Sequence, residues 1–187
     1  IRPETRLVWV ESPGNPLMSI TDIAACAELA HRHGAMLGVD NTLATPVLTR
    51  PLELGADIVM HSATKYLGGH SDLLGGALVA KDPDLVKRLY FIQNATGAVM
   101  GPMEAFLCSR GIKTLELRVR EQCRTAAGLA QFLAADRRVA KVHYPGLPAD
   151  PGHDLAARQM QGGFGAMLSF EVAGDAEAAK RLVESTR

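Results

Sequence analysis

Short apolar runs alternate with helical patterns along the first half of the chain. The runs predict four strands, at residues 7–10, 36–39, 58–61 and 75–80. Apolar residues at helical spacing predict a helix from about residue 21 to a cap at Gly34, a short helix over 51–54, and a helix from Asp82-Pro83 to about residue 90. This strand–helix alternation predicts a mostly parallel sheet covered by helices.

The second half of the chain begins with a long helical pattern over residues 104–135, with Arg110-Gly111 as a candidate interruption. Beyond it we predict strands at 139–144 and 167–172, and helices at 155–161 and 176–184. This stretch is too short for a complete domain. We therefore assign residues 1–116 to a larger domain, and 117–187 to a connecting helix and the start of a smaller one. The chain does not begin with methionine, so we expect it to be a piece of a longer protein.

The composition narrows the class of protein. Hydrophobic residues make up 47% of the 187 residues, which excludes a disordered chain. Twenty basic and twenty acidic residues cancel, and the pI of about 7.2 argues against a nucleic-acid partner. No apolar run approaches the roughly 20 residues of a membrane span, so we expect no membrane partner. Three widely spaced cysteines indicate reduced thiols in a cytoplasmic protein.

Polar residues follow three of the predicted strands. Asn15, Asp40 and Lys65 each lie just beyond an apolar run. In sheets of this kind, ligands bind beyond the carboxyl ends of the strands. We therefore expect these three side chains to lie at one edge of the sheet and to form a binding site.

The segment around Lys65 carries the most specific chemistry. Ser62 and Thr64 precede the lysine, and Gly68-Gly69 follows it. An isolated lysine is most often a solvated surface residue, but the apolar strand before Lys65 and the glycine pair after it favour burial. A buried lysine loses its charge more readily and attacks carbonyl groups. The two hydroxyls suit a phosphate, although they could equally satisfy nearby backbone groups. The pattern predicts a pyridoxal-phosphate (PLP) site with Lys65 as the Schiff-base lysine.

Asp40 has two interpretations. The commoner one is a turn or N-cap aspartate, because it follows a strand and precedes Asn41-Thr42. The other is a carboxylate that faces a cationic ligand atom, since opposite charges 4 Å apart attract by about 4 kcal/mol at an effective dielectric constant of 20. Such a carboxylate would keep a pyridinium nitrogen protonated, and a protonated ring stabilises a carbanion.

Other candidate sites are weaker. His31 and His33 have a spacing compatible with metal binding, but they lie at a predicted helix end, where cationic side chains are favoured anyway. No third ligand is near, so we predict no metal site. Cys108 and Cys123 lie in an amphipathic helical pattern and are predicted to be core residues. The nucleotide-binding glycine motifs are absent.

Together these segments resemble one family, the PLP-dependent trans-sulfuration enzymes, which include cystathionine γ-synthase, cystathionine γ-lyase and methionine γ-lyase. The segment from His61 to Tyr66, HSATKY, is the most specific for the family. The similarity extends over the whole chain, and its segments are 11–16, 39–42, 45–46, 50–57, 61–66, 69–72, 93–94, 110–115 and 144–147.

The resemblance implies an α/β structure of PLP-dependent transferase fold type I, which is aspartate-aminotransferase-like. Its mostly parallel sheet has helices on both faces, and the start of a small α+β domain follows. The resemblance also implies a homotetramer. Within the site it implies that Lys65 is catalytic and holds PLP, that Asp40 pairs with the ring nitrogen, that Ser62 and Thr64 bind the phosphate, and that Asn15 lies near the phenolic oxygen.

The activity implied by the resemblance is γ-elimination or γ-replacement on a sulfur amino acid or an activated homoserine. Residues 93–101 and 144–151 look most like the cystathionine enzymes, with methionine γ-lyase and homoserine sulfhydrylase as alternatives. Two other classes stay open, a Schiff-base lyase without PLP and a non-catalytic scaffold. We expect the residues that separate lyase from synthase, and those that bind the substrate carboxylate, to lie mainly outside this chain.

Overall fold

The computed structural model describes residues 1–186, which form two β-sheets and seven α-helices. The strands are β1 (Leu7–Glu11), β2 (Met36–Asp40), β3 (Ile58–Ser62), β4 (Gly76–Ala80), β5 (Val139–His143) and β6 (Ser169–Val172). The helices are α1 (Ile23–Arg32), α2 (Thr45–Leu48), α3 (Pro83–Thr96), α4 (Pro102–Ile112), α5 (Leu115–Ala134), α6 (His153–Gln159) and α7 (Ala176–Ser185). A 3₁₀ turn covers Pro51–Glu53, and a π-helical turn covers Ala63–Leu67.

The first sheet has the strand order β1-β2-β3-β4. Strands β1, β2 and β3 are parallel, and β4 is antiparallel to β3. The prediction of a mostly parallel sheet is therefore confirmed. Glu11 pairs with Asp40, and Asp40 pairs with Met60, so the parallel strands reach one edge at nearly the same level.

Helix α1 covers one face of this sheet. Its Asp22 cap accepts a hydrogen bond from the Ala25 backbone N–H at 2.9 Å, which satisfies one of the free donors at the helix start. The buried α1 residues Ile23 and Ala27 pack in one cluster with Leu37 of β2. Burying a side chain of the size of Ile23 or Leu37 contributes about 1.5–3 kcal/mol, so this contact is a principal source of the stability of this layer.

The second sheet pairs β5 with β6 in antiparallel orientation. Helix α5 packs against it, where Ala126, Ala130 and Tyr144 form a small buried cluster. The start of α5 instead contributes Leu115 and Val119 to the core beside the π-helical turn. Helix α5 thus connects the two sheets, and the domain boundary at residue 116 stays a prediction.

Two predicted helix bounds are wrong. Helix α3 continues to Thr96 instead of ending near residue 90, because the stop residue is Gly97, which adopts a left-handed φ of +69°. The long helix is interrupted at Lys113 and Thr114, since α4 continues through Gly111 to Ile112.

Within residues 1–186, no helix combines the length and hydropathy needed to cross a membrane.

Candidate active site

An open cleft of about 1360 Å³ lies at the carboxyl ends of β1, β2 and β3. All the residues that the sequence predicted as site residues line it: Asn15, Asp40, Ser62, Thr64 and Lys65. The parallel register brings them together, because Asp40 and Met60 are partners and Ser62 lies two residues beyond Met60. Their arrangement around one cleft agrees with the predicted convergence of strand ends, while their roles toward a cofactor stay predictions.

Lys65 lies in the middle of the π-helical turn, with φ −94° and ψ −115°, which are not helical angles. Hydrogen bonds on both sides close the turn: the Gly68 N–H donates to the Ala63 carbonyl at 2.8 Å, and the Gly69 N–H donates to the Lys65 carbonyl at 2.7 Å. The Lys65 residue is exposed. The structure therefore shows the solvent-exposed position and not the buried one that the sequence favoured.

The two hydroxyls beside Lys65 have different surroundings. The Thr64 hydroxyl accepts a hydrogen bond from the Gly75 N–H at 3.0 Å and donates to the Gly75 carbonyl at 3.3 Å. For Thr64 the structure therefore shows the backbone interaction that was one of the two predicted alternatives. The Ser62 hydroxyl makes no hydrogen bond to another described residue, whereas the Ser62 N–H donates to the Thr42 hydroxyl at 2.8 Å.

Asp40 combines its two predicted interpretations. Its Oδ1 accepts a hydrogen bond from the Thr42 N–H at 2.9 Å, as a turn aspartate does. Its Oδ2 has no hydrogen-bond partner within residues 1–186, and the residue lines the cleft. One carboxylate oxygen is thus engaged by the turn, and the other is available to a ligand.

His61 is a buried neighbour of this carboxylate. Burial lowers the pKa of His61, although the Asp40 charge and the Asn41 backbone act in the opposite direction. Its Nδ1 and the Asn41 Oδ1 are both buried without a partner among the described residues. Burial disfavours the charged form of His61, so this ring is a poor counter-ion for Asp40.

Asn15 is exposed in the loop between β1 and α1. Hydrogen bonds connect this loop to later parts of the chain. The Ser169 hydroxyl donates to the Pro16 carbonyl at 2.6 Å, and the Gln159 amide contacts the Ser12 hydroxyl at 3.4 Å. The Ser12 hydroxyl also accepts from the Thr21 N–H at 3.1 Å. The position of Asn15 therefore depends on α6 and β6, which lie about 150 residues away in sequence.

The cleft also contains residues that the sequence did not indicate. Arg118 and Gln122 of α5 line it, as do Glu104 at the start of α4 and Glu11 at the end of β1. For Arg118 and Gln122 the sequence contained a weak indication of a shared site. The two residues lie one helical turn apart, beside the buried stripe of α5 that includes Leu115. Glu11 had the same signal as Asp40, since it directly follows a predicted strand, whereas no local signal marks Glu104.

The histidines and cysteines that were considered as alternative site residues contact other parts of the fold instead of the cleft. The His31 Nε2 pairs with the Asp57 carboxylate at 2.8 Å, and the His33 Nδ1 donates to the Leu29 carbonyl at 2.9 Å, so each ring is used separately. In the described part of the chain, no group of three His, Cys, Asp or Glu side chains is placed to hold a metal ion. Cys108 and Cys123 lie in the core, as predicted, and burial raises the pKa of both thiols.

Comparison with known proteins decides the family. The model of the family described as "Cys/Met metabolism PLP-dependent enzyme" matches residues 1–187. The chain belongs to this family. Among curated relatives, cystathionine gamma-synthase of Mycobacterium tuberculosis is 53% identical over 187 residues, which are 100% of this chain and 48% of the relative. L-methionine gamma-lyase of Porphyromonas gingivalis is 50% identical over 188 residues, covering 99% of this chain and 47% of the relative.

A solved structure supports the same assignment. Cystathionine gamma synthase from Xanthomonas oryzae pv. oryzae, in complex with aminoacrylate and cysteine, matches with a TM-score of 0.94 and 46% identity over 97% of this chain and 47% of the other. The predicted PLP-dependent transferase fold is thereby confirmed. The chain spans about half the length of the relatives it matches.

The residues in the cleft fit the cofactor of this family. Within residues 1–186, the Lys65 amine, the Asp40 Oδ2 and the Ser62 hydroxyl line one cleft and make no hydrogen bond to other side chains. An amine, a carboxylate and a hydroxyl complement the aldehyde, the ring nitrogen and the phosphate of PLP respectively. These three groups are therefore compatible with PLP, whereas the Thr64 hydroxyl is hydrogen-bonded to the Gly75 backbone.

Proposed function

We propose that this chain is the lysine-bearing part of a PLP-dependent enzyme that carries out γ-elimination or γ-replacement on a sulfur amino acid or an activated homoserine. Cystathionine γ-lyase and cystathionine γ-synthase are the activities that we favour. The observation that carries the proposal is the arrangement of Lys65 and Asp40 on one cleft, in a chain 53% identical to a cystathionine gamma-synthase.

In this proposal the residues of the cleft have distinct tasks. Bound PLP supplies an electron sink for the pair left at the substrate α-carbon. Asp40, through Oδ2, keeps the ring nitrogen protonated by Coulombic attraction. Ser62 donates to the phosphate, and Thr64 joins it when its hydroxyl hydrogen turns away from the Gly75 carbonyl. Asn15 lies near the phenolic oxygen.

Lys65 performs two tasks in sequence. Its amine would hold the cofactor until the amino group of the substrate takes its place. The freed amine would then accept the proton of the α-carbon, return that proton to the bound adduct, and, neutral again, accept a proton of the β-carbon, which allows the γ-substituent to leave. In a lyase the remainder becomes a 2-oxo acid and ammonia, and in a synthase cysteine adds at the γ-carbon. An amine that faces an open cleft is free to make these movements.

The second candidate function is methionine γ-lyase, favoured by the 50% identity to the enzyme of P. gingivalis. Product analysis of the full-length protein separates the candidates. Cystathionine alone tests the lyase, an activated homoserine with cysteine tests the synthase, and methionine alone tests the methionine lyase. Turnover of methionine with no reaction in the first two mixtures would reverse our order of preference.

Replacing Lys65 with alanine tests the proposal most directly. In the parent full-length protein, borohydride should fix PLP to the peptide that contains Lys65. In Lys65→Ala, we expect the label in this peptide to disappear and turnover to fall by at least about 10²- to 10⁴-fold, since both the anchor and the base are lost. A stable adduct in the same peptide of Lys65→Ala would contradict the assignment.

The two remaining classes have their own outcomes. An active, colourless full-length protein would favour a Schiff-base lyase without PLP, and a protein that binds no PLP would favour a scaffold.

We further propose a cytoplasmic homotetramer. Exposed apolar side chains on α3 and α4 support an oligomer, because Tyr90, Phe91 and Phe106 are each 61–71% exposed in the single chain. Analytical ultracentrifugation of the full-length protein would measure the oligomeric state.

A further inference from the structure

Arg118 of α5 links the turn that carries Lys65 to the end of helix α4. Its Nη1 donates to the Tyr66 carbonyl at 3.0 Å, and its Nη2 donates to the Gly111 carbonyl at 2.8 Å. Its Nε donates to the Thr114 hydroxyl at 3.1 Å. The guanidinium therefore holds three oxygen atoms at once, one of them the carbonyl oxygen of the residue that directly follows Lys65.

The Tyr66 carbonyl requires a donor from outside its own turn. The π-helical turn ends at Leu67, and carbonyls in the last turn of a helix have no donor within it. The non-helical angles of Lys65 also interrupt the regular hydrogen-bond pattern at this point. A charged guanidinium N–H is a stronger donor than a neutral one, so Arg118 replaces the missing donor effectively.

Close packing leaves the turn little freedom to move. A Cβ atom on Gly111 would lie 2.2 Å from the Gly68 carbonyl oxygen, so the α4 backbone approaches the turn closely at this glycine. A Cβ atom on Gly69, which has a φ of +77°, would lie 2.1 Å from the Arg118 Nη1. Helix α4 and the Arg118 side chain thus enclose the residues that directly follow Lys65.

We propose that Arg118 is a positioning residue for Lys65. By fixing the Tyr66 carbonyl against Gly111, it sets the direction in which the Lys65 side chain enters the cleft. The proposal rests on the proposed function of Lys65 as the PLP-binding amine. Because proton transfer depends on sub-ångström placement, we expect the loss of Arg118 to lower turnover more than substrate affinity.

The same helix offers a matched control. Arg120 also donates through Nη1 to backbone carbonyls, those of Gln161 and Gly162, at 3.2 and 3.1 Å. A Cβ atom on Gly162 would lie 2.2 Å from that Nη1, which repeats the arrangement of Arg118 and Gly69. Arg120 does not line the cleft. Arg118 is half-buried and Arg120 is exposed, and only Arg118 holds the segment that carries Lys65.

The test compares Arg118→Met, Arg118→Lys and Arg120→Met in the full-length protein. The apoprotein is mixed with PLP, the rate of Schiff-base formation is followed by absorbance, and borohydride with peptide mapping locates the adduct. We expect about a 10-fold slower reaction at Lys65 and about a 10²-fold lower kcat in Arg118→Met, with KM changed less than about 3-fold. Arg118→Lys should lie between it and the parent, because an ammonium group cannot reproduce the planar set of donors. Arg120→Met should stay within about 2-fold of the parent.

Each outcome has a defined meaning. Equal rates in Arg118→Met and the parent would overturn the positioning role alone, and equal losses in Arg118→Met and Arg120→Met would reduce it to general helix stability. A parent protein that forms no adduct at Lys65 would overturn the proposed function instead. If Arg118→Met does not fold, Arg118→Lys decides: a lower kcat at parent-like urea stability supports the proposal, and a parent-like kcat and adduct rate overturns it.

Discussion

The cleft end of the first sheet and the second sheet both collect polar side chains, but they use them in opposite ways. Beside the second sheet, two buried polar side chains have partners: the His143 Nε2 pairs with Glu171 at 2.7 Å, and the Tyr144 hydroxyl donates to the Gly165 carbonyl at 3.1 Å. At the cleft, the Lys65 amine, the Ser62 hydroxyl and the Asp40 Oδ2 have no partner among residues 1–186.

This difference separates groups that stabilise the fold from groups that are available for chemistry. A buried polar atom without a partner costs about 1–3 kcal/mol, so a protein interior keeps its polar groups paired. Free polar atoms persist cheaply only where water or a ligand can reach them, as at an open cleft. The unpaired side chains therefore mark the functional region more clearly than the kinds of residue do.

Among changes that leave Lys65 in place, the largest effect should follow from removing the charge of Asp40. Asp40→Asn keeps an oxygen that can accept from the Thr42 N–H but loses the negative charge. If Oδ2 serves a ring nitrogen, kcat should fall by about 10²- to 10³-fold, which corresponds to the few kcal/mol of a close charge pair. Asp40→Ala should in addition retain PLP poorly in dialysis. Steady-state kinetics and cofactor absorbance measure these changes.

Asp57 provides the comparison for Asp40, since it lies just before β3 at the opposite edge and its Oδ2 is already engaged. It accepts from the Leu37 N–H at 2.7 Å and pairs with His31. Asp57→Asn should lower stability by about 1 kcal/mol and leave kcat unchanged. Near-normal turnover in Asp40→Asn would show that Asp40 is only a turn residue.

An intermediate effect on stability is expected from Gly111→Ala. The new methyl group would meet the Gly68 carbonyl, so α4 must move away from the lysine turn at a cost of about 1–3 kcal/mol. Gly128→Ala in α5 is the matched change, because a Cβ there meets nothing within 4 Å. It should instead stabilise the helix by about 0.5–1 kcal/mol. Urea unfolding of both variants measures the difference, and equal shifts would contradict the close packing.

The smallest effect at neutral pH should come from Tyr144→Phe, which removes the hydrogen bond to Gly165 at a net cost of about 1 kcal/mol. Burial, and to a lesser degree Cys123, raises the pKa of Tyr144 from 10.0 to about 12. The unfolded chain therefore loses this proton first, so the stabilisation is complete below pH 10 and is lost as the pH rises to about 12.

Unfolding measured between pH 9 and 12 checks this sign. The parent should lose on the order of 2 kcal/mol through Tyr144 across that interval. Tyr144→Phe should decline less steeply, though not become flat, because burial also raises the pKa of Tyr66. An identical pH slope in the two proteins would mean that Tyr144 does not titrate as a buried group.

The sequence predicted the strands of both sheets closely, because each is a short apolar run bounded by polar residues or glycine. It also predicted part of the cleft, since Asn15, Asp40 and Lys65 follow parallel strands. It overestimated the burial of Lys65, whose exposure depends on which elements face the turn. The length of α3 was also underestimated, because Gly97 and not residue 90 stops that helix.

Local patterns were sufficient for the strands, for the position of the lysine after β3 and for the family, because each depends on residues that are neighbours in the chain. The pairing of hydrogen-bonding atoms was not visible in that way. Gly75 engages the Thr64 hydroxyl, and Arg118 reaches the Tyr66 carbonyl across 52 residues of sequence. Such bonds form between segments that only folding brings together, and they distinguish the free groups at the cleft from those that hold the chain in place.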